Sequence, residues 1–396
     1  MTPALPPGLP LRLECRSIQR RSMLIGAPFL AASAGAAFFA PTDFFHAYLI
    51  GYLLWLGVTL GAMALLMLQY LTGGAWGLIT RRVFEAASRT LPLFVILFIP
   101  FVFGLADLYD WAISDITRRD PIVQHRSAYM NPAFFIGRSG IYFALWIALA
   151  FFLNRWSIRQ DKGNELALQS RLAKFSAAGV IIYLFTISFA SVDWAESLET
   201  NWASSIWGFL FISAEGVVAL SFTIIVLAYL KTREPMSRIL KPDHFHDLGK
   251  MLFANIMLWA YLCFVQYLIV WSENLTNEIS YYRTRTGTSW GWLGLCLIVV
   301  EFAIPAVLLL SRFLKRNAYL LGAVAAVVFI MQYMYLVWIV LPSYYKNGFG
   351  FNWMDIVTPM GVGGVWLWVF LRELSWLPLL PMNAPGLKEA FAHETR

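Results

Sequence analysis

Long apolar runs separated by short polar stretches organise the whole chain. Ten such runs stand out: Met23–Ala40, Phe44–Leu71, Thr90–Trp111, Ala133–Leu153, Leu172–Val192, Ser205–Leu230, Leu248–Ser272, Trp290–Ser311, Ala318–Leu341 and Met354–Leu371. Each is close to the ~20 residues with which a helix, rising about 1.5 Å per residue, crosses ~30 Å of hydrocarbon. Barrel strands would instead be ~10 residues long with alternating polarity. The pattern therefore predicts an all-α integral membrane protein. Ten transmembrane helices occupy residues 23–372, between cytoplasmic segments at 1–22 and 373–396.

The polar stretches set the orientation. With the N-terminus inside, 23 of the 30 Lys and Arg fall on the inner side, including Arg12, Arg16, Arg20, Arg21, Arg81, Arg82 and Arg89. Arg118, Arg119, Arg126, Arg138, Arg283, Arg285 and Lys346 make up the outer set. Basic residues gather on the cytoplasmic side of membrane proteins, so both termini are expected inside, in a bacterial inner membrane.

Composition agrees with a lipid-embedded chain. Of 396 residues, 59% are hydrophobic and 13% charged, against roughly 25% charged in soluble domains. The net charge of +7 comes from loops between spans, which argues against a nucleic-acid partner. Several of the many aromatics lie at run ends, as interfacial Trp and Tyr do. The N-terminal stretch Met1–Pro10 is Pro-rich, and its first apolar run ends at Ala40–Pro41 rather than in a cleavage site.

What the chain lacks limits its chemistry. Cys15, Cys263 and Cys296 are too scattered for a disulfide framework or thiolate cluster. A membrane haem needs histidines facing one another inside the bilayer. Of His46, His125, His244, His246 and His393, none lies within a span away from its end. No phosphate-binding Gly-rich loop or nucleophile elbow is evident. No metal or haem is expected on this chain.

Ionisable groups at depth are costly and so point to function. Glu215 in the sixth run and Glu301 in the eighth lie about 15 Å from the outer end, near the midplane. In the seventh run Asn255, Trp259, Gln266 and Glu273 fall within about 40° of one another, a stripe expected to face a bundle interior. Ser204 and Gly208 precede Glu215 at a helical spacing that puts them on its face. With His244, His246, Asp247 and Lys250 at the inner end, these residues form a candidate proton pathway. Near the outer surface, Asp107 and Asp110 share a face, Asp193, Glu196 and Glu199 crowd one run end, and Arg138 opens the fourth run. The plain alternatives are a solvated acidic loop, an arginine snorkelling to the interface, interhelical hydrogen bonding and protonated structural glutamates.

Several blocks also resemble a known family. Asn131, Phe134-Phe135, Arg138 and Tyr142-Phe143 match the N-x-x-F-F-x-x-R-x-x-x-Y-F signature of NrfD-like quinone-binding membrane subunits. Asp193-Trp194, Ser197-Leu198, Trp202, Ser204 and Gly208 resemble a block of alternative complex III. His246 to Lys250, Trp259-Ala260-Tyr261, Gln266-Tyr267, Trp271-Ser272, Asn274 and Glu278 are similar to its smaller, ActF-type NrfD-like subunit. The tail from Pro381 to Pro385, with Lys388-Glu389, is similar to that subunit's tail. The chain departs from the pattern at Asn201, Tyr335 and Ala384, where a His, an acidic residue and an Asp are expected.

The resemblance implies two four-helix bundles, runs two to five and six to nine, flanked by runs one and ten. It implies a subunit of a quinol- or menaquinol-oxidising complex. Electrons would pass through an iron–sulfur subunit and c-type cytochromes to a soluble carrier or terminal oxidase, beside a larger sibling NrfD-like subunit. Asp193, Glu196, Asp107, Asp110 and Arg138 are then the candidate quinol mouth. Two other classes stay open: the membrane anchor of a polysulfide- or nitrite-reductase-type enzyme, and a secondary transporter.

Overall fold

The computed structural model describes residues 15–163, 166–234 and 236–381, and every regular element among them is helical. Arg12 and the tail motif beyond Pro381 lie outside the described residues. Among the described residues, nine helices are long and apolar enough to cross a membrane. They are α2 (Pro41–Thr72), α3 (Trp76–Phe103), α4 (Pro132–Lys162), α5 (Ala167–Leu198), α6 (Trp207–Leu230), α7 (Pro242–Glu273), α8 (Trp290–Leu310), α9 (Ala318–Ser343) and α10 (Trp353–Trp376). This is the make-up of a multi-pass α-helical membrane protein. The remaining long helix, α1 (Arg16–Ala36), is not among these nine.

Local sequence explains where the helices begin and end. Proline at the first helical position opens α2, α4 and α7, where its missing N–H costs nothing. The Asn131 side chain accepts from the Phe134 amide at 2.9 Å and caps α4. Asn352 and Asp355 form a capping box at α10. Gly73 and Gly74 take positive φ between α2 and α3, and Asn274 does so at the end of α7.

The centre of the molecule is α2, whose most apolar stretch is 89% buried, against 22% for those of α7 and α8. Helices α2, α3, α4 and α5 touch in a ring, as do α6, α7, α8 and α9. The rings meet where α2 crosses α6, and Gly61 permits that crossing: a Cβ there would stand 2.1 Å from the Glu215 carbonyl oxygen. Helix α10 packs on α2, α3 and α1.

Three expectations need correction. The helix that carries the third run reaches back to Trp76, past a turn at Arg89–Thr90, so Arg81 and Arg82 lie within a helix rather than in a loop. It ends at Phe103, where the chain breaks at Gly104 before short helical turns. Glu273, placed on the interior stripe, is exposed at the end of α7. Ser204 lies in the loop before α6, not on its face.

Candidate functional site

Asp193, at the end of α5, is 2% exposed and fully engaged. Arg138 grips it with a fork, Nε to Oδ2 at 2.9 Å and Nη2 to Oδ1 at 2.7 Å. The Tyr142 hydroxyl donates to Oδ2 at 2.8 Å. The guanidinium carbon lies 3.8 Å from the Tyr129 ring centre and 4.3 Å from that of Phe134, so its faces are covered by aromatic density. Burial, and then the Asp193 charge, push the Tyr129 phenol up to about 12. Arg138 therefore does not snorkel, and Asp193 is not part of a solvated loop.

Glu196, one turn further on, is also buried. Its Oε1 accepts from the Ser204 amide at 3.2 Å, while Oε2 has no hydrogen-bond partner. The Ser204 hydroxyl pairs with Oε1 of Gln266 from α7. Glu199 accepts from Ser343 at 2.9 Å and lies 3.5 Å from Arg285. Asp107 and Asp110 stay apart: Asp110 is exposed, and among the described residues no hydrogen bond or ion pair joins either to Asp193 or Glu196. Tyr109 between them reaches the Trp194 carbonyl at 3.0 Å.

Deeper in the molecule, the structure brings Glu215 and Glu301 into relation. Tyr183 of α5 donates to Glu215 Oε2. Glu215 also lines a cavity of ≈ 30 Å³ walled by α2, α5, α6 and α9, room for about one water molecule. Gln332 of α9 lines the same cavity, and its Nε2 donates to Glu301 Oε1 at 2.5 Å. Glu301 Oε2 is buried without a partner. The helix around it, Leu297–Ala303, is wound as a π-helix, a local defect frequent at functional positions. Among the described residues neither carboxyl forms an ion pair.

The α7 residues divide. Asn255 Oδ1 stands 2.7 Å from where a Cβ on Gly216 would be, so it packs beside Glu215's neighbour, while its Nδ2 donates to the Met251 carbonyl. Trp259 meets Tyr335 edge-on at 5.1 Å. At the basic end, the His244 ring accepts from the Lys241 amide at 3.3 Å. Asp247 pairs with the exposed Lys250 at 3.0 Å and lies 4.0 Å from His246. No hydrogen bond among the described residues carries this basic-end group to Glu215 or Glu301.

Sequence reading missed a second buried polar cluster, at the basic end of α3. Glu85 is fully buried between Arg81, at 3.1 Å, and Arg82, at 2.5 Å. Ser157 donates to it at 2.5 Å, Arg81 also reaches Gln160 at 2.7 Å, and Arg82 pairs with Asp161. Arg89 bonds Glu373 of α10 at 2.9 Å. Three cations meet three carboxylates, so the cluster is balanced and clamps α3 to α4 and α10. The Arg81–Glu85 spacing of four residues was its one visible signal. Tyr183 and Gln332 were missed too. No group of three or more His, Cys, Asp or Glu among the described residues is arranged to hold a metal ion.

No protein-family model matches the chain, and no curated protein matches it.

Proposed function

We propose that this chain is the smaller NrfD-like membrane subunit of a quinol-oxidising complex of the alternative complex III type. In this reading ten helices span a bacterial inner membrane, α1 included, with both termini inside. Two four-helix bundles, α2–α5 and α6–α9, are flanked by α1 and α10. The observation that carries it is the forked Arg138–Asp193 pair with Tyr142. It joins two of the sequence blocks on which the family resemblance rests, through side chains 55 residues apart.

Quinol oxidation releases two electrons and two protons. The electrons leave to iron–sulfur and c-haem groups on partner subunits. The protons need acceptors on this side of the membrane. Glu196, with a buried oxygen free of partners, suits that role better than Asp193, whose oxygens are taken by Arg138 and Tyr142. The series Tyr183, Glu215, the water-sized cavity, Gln332 and Glu301 supports a proton path at mid-depth. Gln332 cannot itself titrate, so transfer needs water in the cavity or rotation of a carboxyl.

Extraction in mild detergent and identification of co-purifying proteins tests the assignment. Iron–sulfur, c-type cytochrome and sibling NrfD-like subunits are expected. A catalytic reductase subunit in their place would make this the anchor of a polysulfide- or nitrite-reductase-type enzyme. The π-helical break at Glu301 favours a second reading, a secondary transporter. Solute uptake by the isolated chain in vesicles would establish that instead.

A further inference from the structure

Several cations at the basic end carry their own counter-charge. Arg81 and Arg82 share Glu85, Arg89 has Glu373, Lys250 has Asp247 and Arg316 has Asp243. The turn between α4 and α5 differs. Arg155 and Arg159 near the end of α4, and Arg171 and Lys174 near the start of α5, are all exposed. Among the described residues none of the four enters an ion pair or a side-chain hydrogen bond. Their charge is left for something outside the chain to meet.

The four side chains border one groove. Gln160 donates to Gln169 at 3.1 Å, and the Trp156 and Phe175 rings meet at 5.0 Å. These contacts set an antiparallel register that brings Arg155 level with Lys174 and Arg159 level with Arg171. On each helix the two cations share a face, about 40° apart on α4 and about 60° apart on α5. The Arg171 guanidinium lies 5.8 Å from the ring centre of Trp156 across the groove, and that of Arg155 lies 5.7 Å from that of Phe151. Aromatic faces thus seat both guanidinium groups without neutralising them.

Apolar surface begins beside the cations. Phe151, one turn from Arg155, is 53% exposed. Ile181 and Phe185 fall within about 20° of Lys174 on α5 and are 57% and 64% exposed. On α4 the line of Arg155 passes through Ala148 and Ala144, both exposed, whose methyl groups leave room beside the α5 ridge. A phosphodiester supplies the charge that the cations lack, and acyl chains cover the apolar line that follows. A headgroup with its own ammonium would bring a fifth cation to the same place, so the groove favours a lipid of net negative charge.

We propose that the groove between the basic ends of α4 and α5 binds an anionic phospholipid. Its phosphodiester lies among Arg155, Arg159, Arg171 and Lys174, and its acyl chains run along Ile181 and Phe185. The proposal rests on the multi-pass membrane fold and not on the quinol reading.

Native mass spectrometry of the full chain tests it, with any partners that co-purify. The protein is delipidated in detergent and titrated with palmitoyl-oleoyl phosphatidylglycerol or with the phosphatidylethanolamine of the same chains. One tight, saturable phosphatidylglycerol per chain is expected, held about tenfold more strongly than phosphatidylethanolamine. The double variant Arg155→Gln, Lys174→Gln should weaken that binding about thirtyfold. Arg155→Lys with Lys174→Arg keeps both charges and should bind like wild type. Arg312→Gln with Lys315→Gln removes the same charge from the turn between α8 and α9 and should leave binding unchanged. Equal affinity for the two lipids, or equal loss in the two glutamine pairs, overturns the proposal. Protection of Lys174 from an amine-reactive label by a co-purifying subunit, in the delipidated complex, overturns it in favour of a protein occupant.

Discussion

Gln332 stands between the two mid-depth carboxyl groups, donating to Glu301 at 2.5 Å while lining the cavity that Glu215 lines. The two acids lie on α6 and α8, and Gln332 of α9 bonds one and shares the cavity of the other, so replacing one amide can separate them without touching either. In Gln332→Leu the carboxyl groups persist but the link is lost. Proton release per electron in the intact complex should fall, with assembly preserved. The double variant Glu215→Gln, Glu301→Gln keeps size and hydrogen bonding and should do the same. If it turns over and releases protons like wild type, these acids are scaffolding.

Breaking the Arg138–Asp193 pair from one side leaves a buried charge unpaired. Asp193→Asn or Arg138→Met should each cost about 3–5 kcal/mol, read as a lowered thermal midpoint in detergent. Removing both charges should recover much of that loss. Arg138→Lys should be nearly as harmful as Arg138→Met, because an ammonium cannot fork. Additive losses in the double variant would show that the two side chains do not act as a pair.

The clamp at the basic end makes a similar demand on stability. Glu85→Gln leaves Arg81 and Arg82 without their shared carboxylate and should cost about 3–5 kcal/mol. The measurement is unfolding in detergent with turnover per assembled complex alongside. A stable but inactive variant would assign the cluster a functional part.

Topology is open to chemical labelling. In a background with all three cysteines replaced by serine, single cysteines at the exposed Gln124 and Asn201 should react with an impermeant maleimide from outside. One at Lys162 should react only after permeabilisation. Arg126 bonds the Thr200 carbonyl at 2.7 Å, so the first two positions must behave alike. Reaction in the reverse pattern would invert the orientation.

Most of the spans were legible because hydrophobic length is a one-dimensional property and survives any packing. Arg138 and Asp193 were each conspicuous, but nothing in a linear sequence says that residues 55 apart will fork together. Gln332 and Tyr183 were invisible because a single polar group in an apolar run marks neither its face nor its neighbour. The boundary of α3 failed for a physical reason: counting basic residues assigns them to water, and Arg81 and Arg82 carry their own counter-charges indoors.

Helices α1 and α10 touch backbone to backbone at Gly26 and Gly364, where a Cβ on either would come within 2.7 Å of the other helix. These partners lie far apart in the sequence. Helix α1 thus waits through the synthesis of some 330 residues for the α10 surface it packs on, since contacts distant in sequence form late. A chain cut short before α10 leaves that glycine-lined face uncovered.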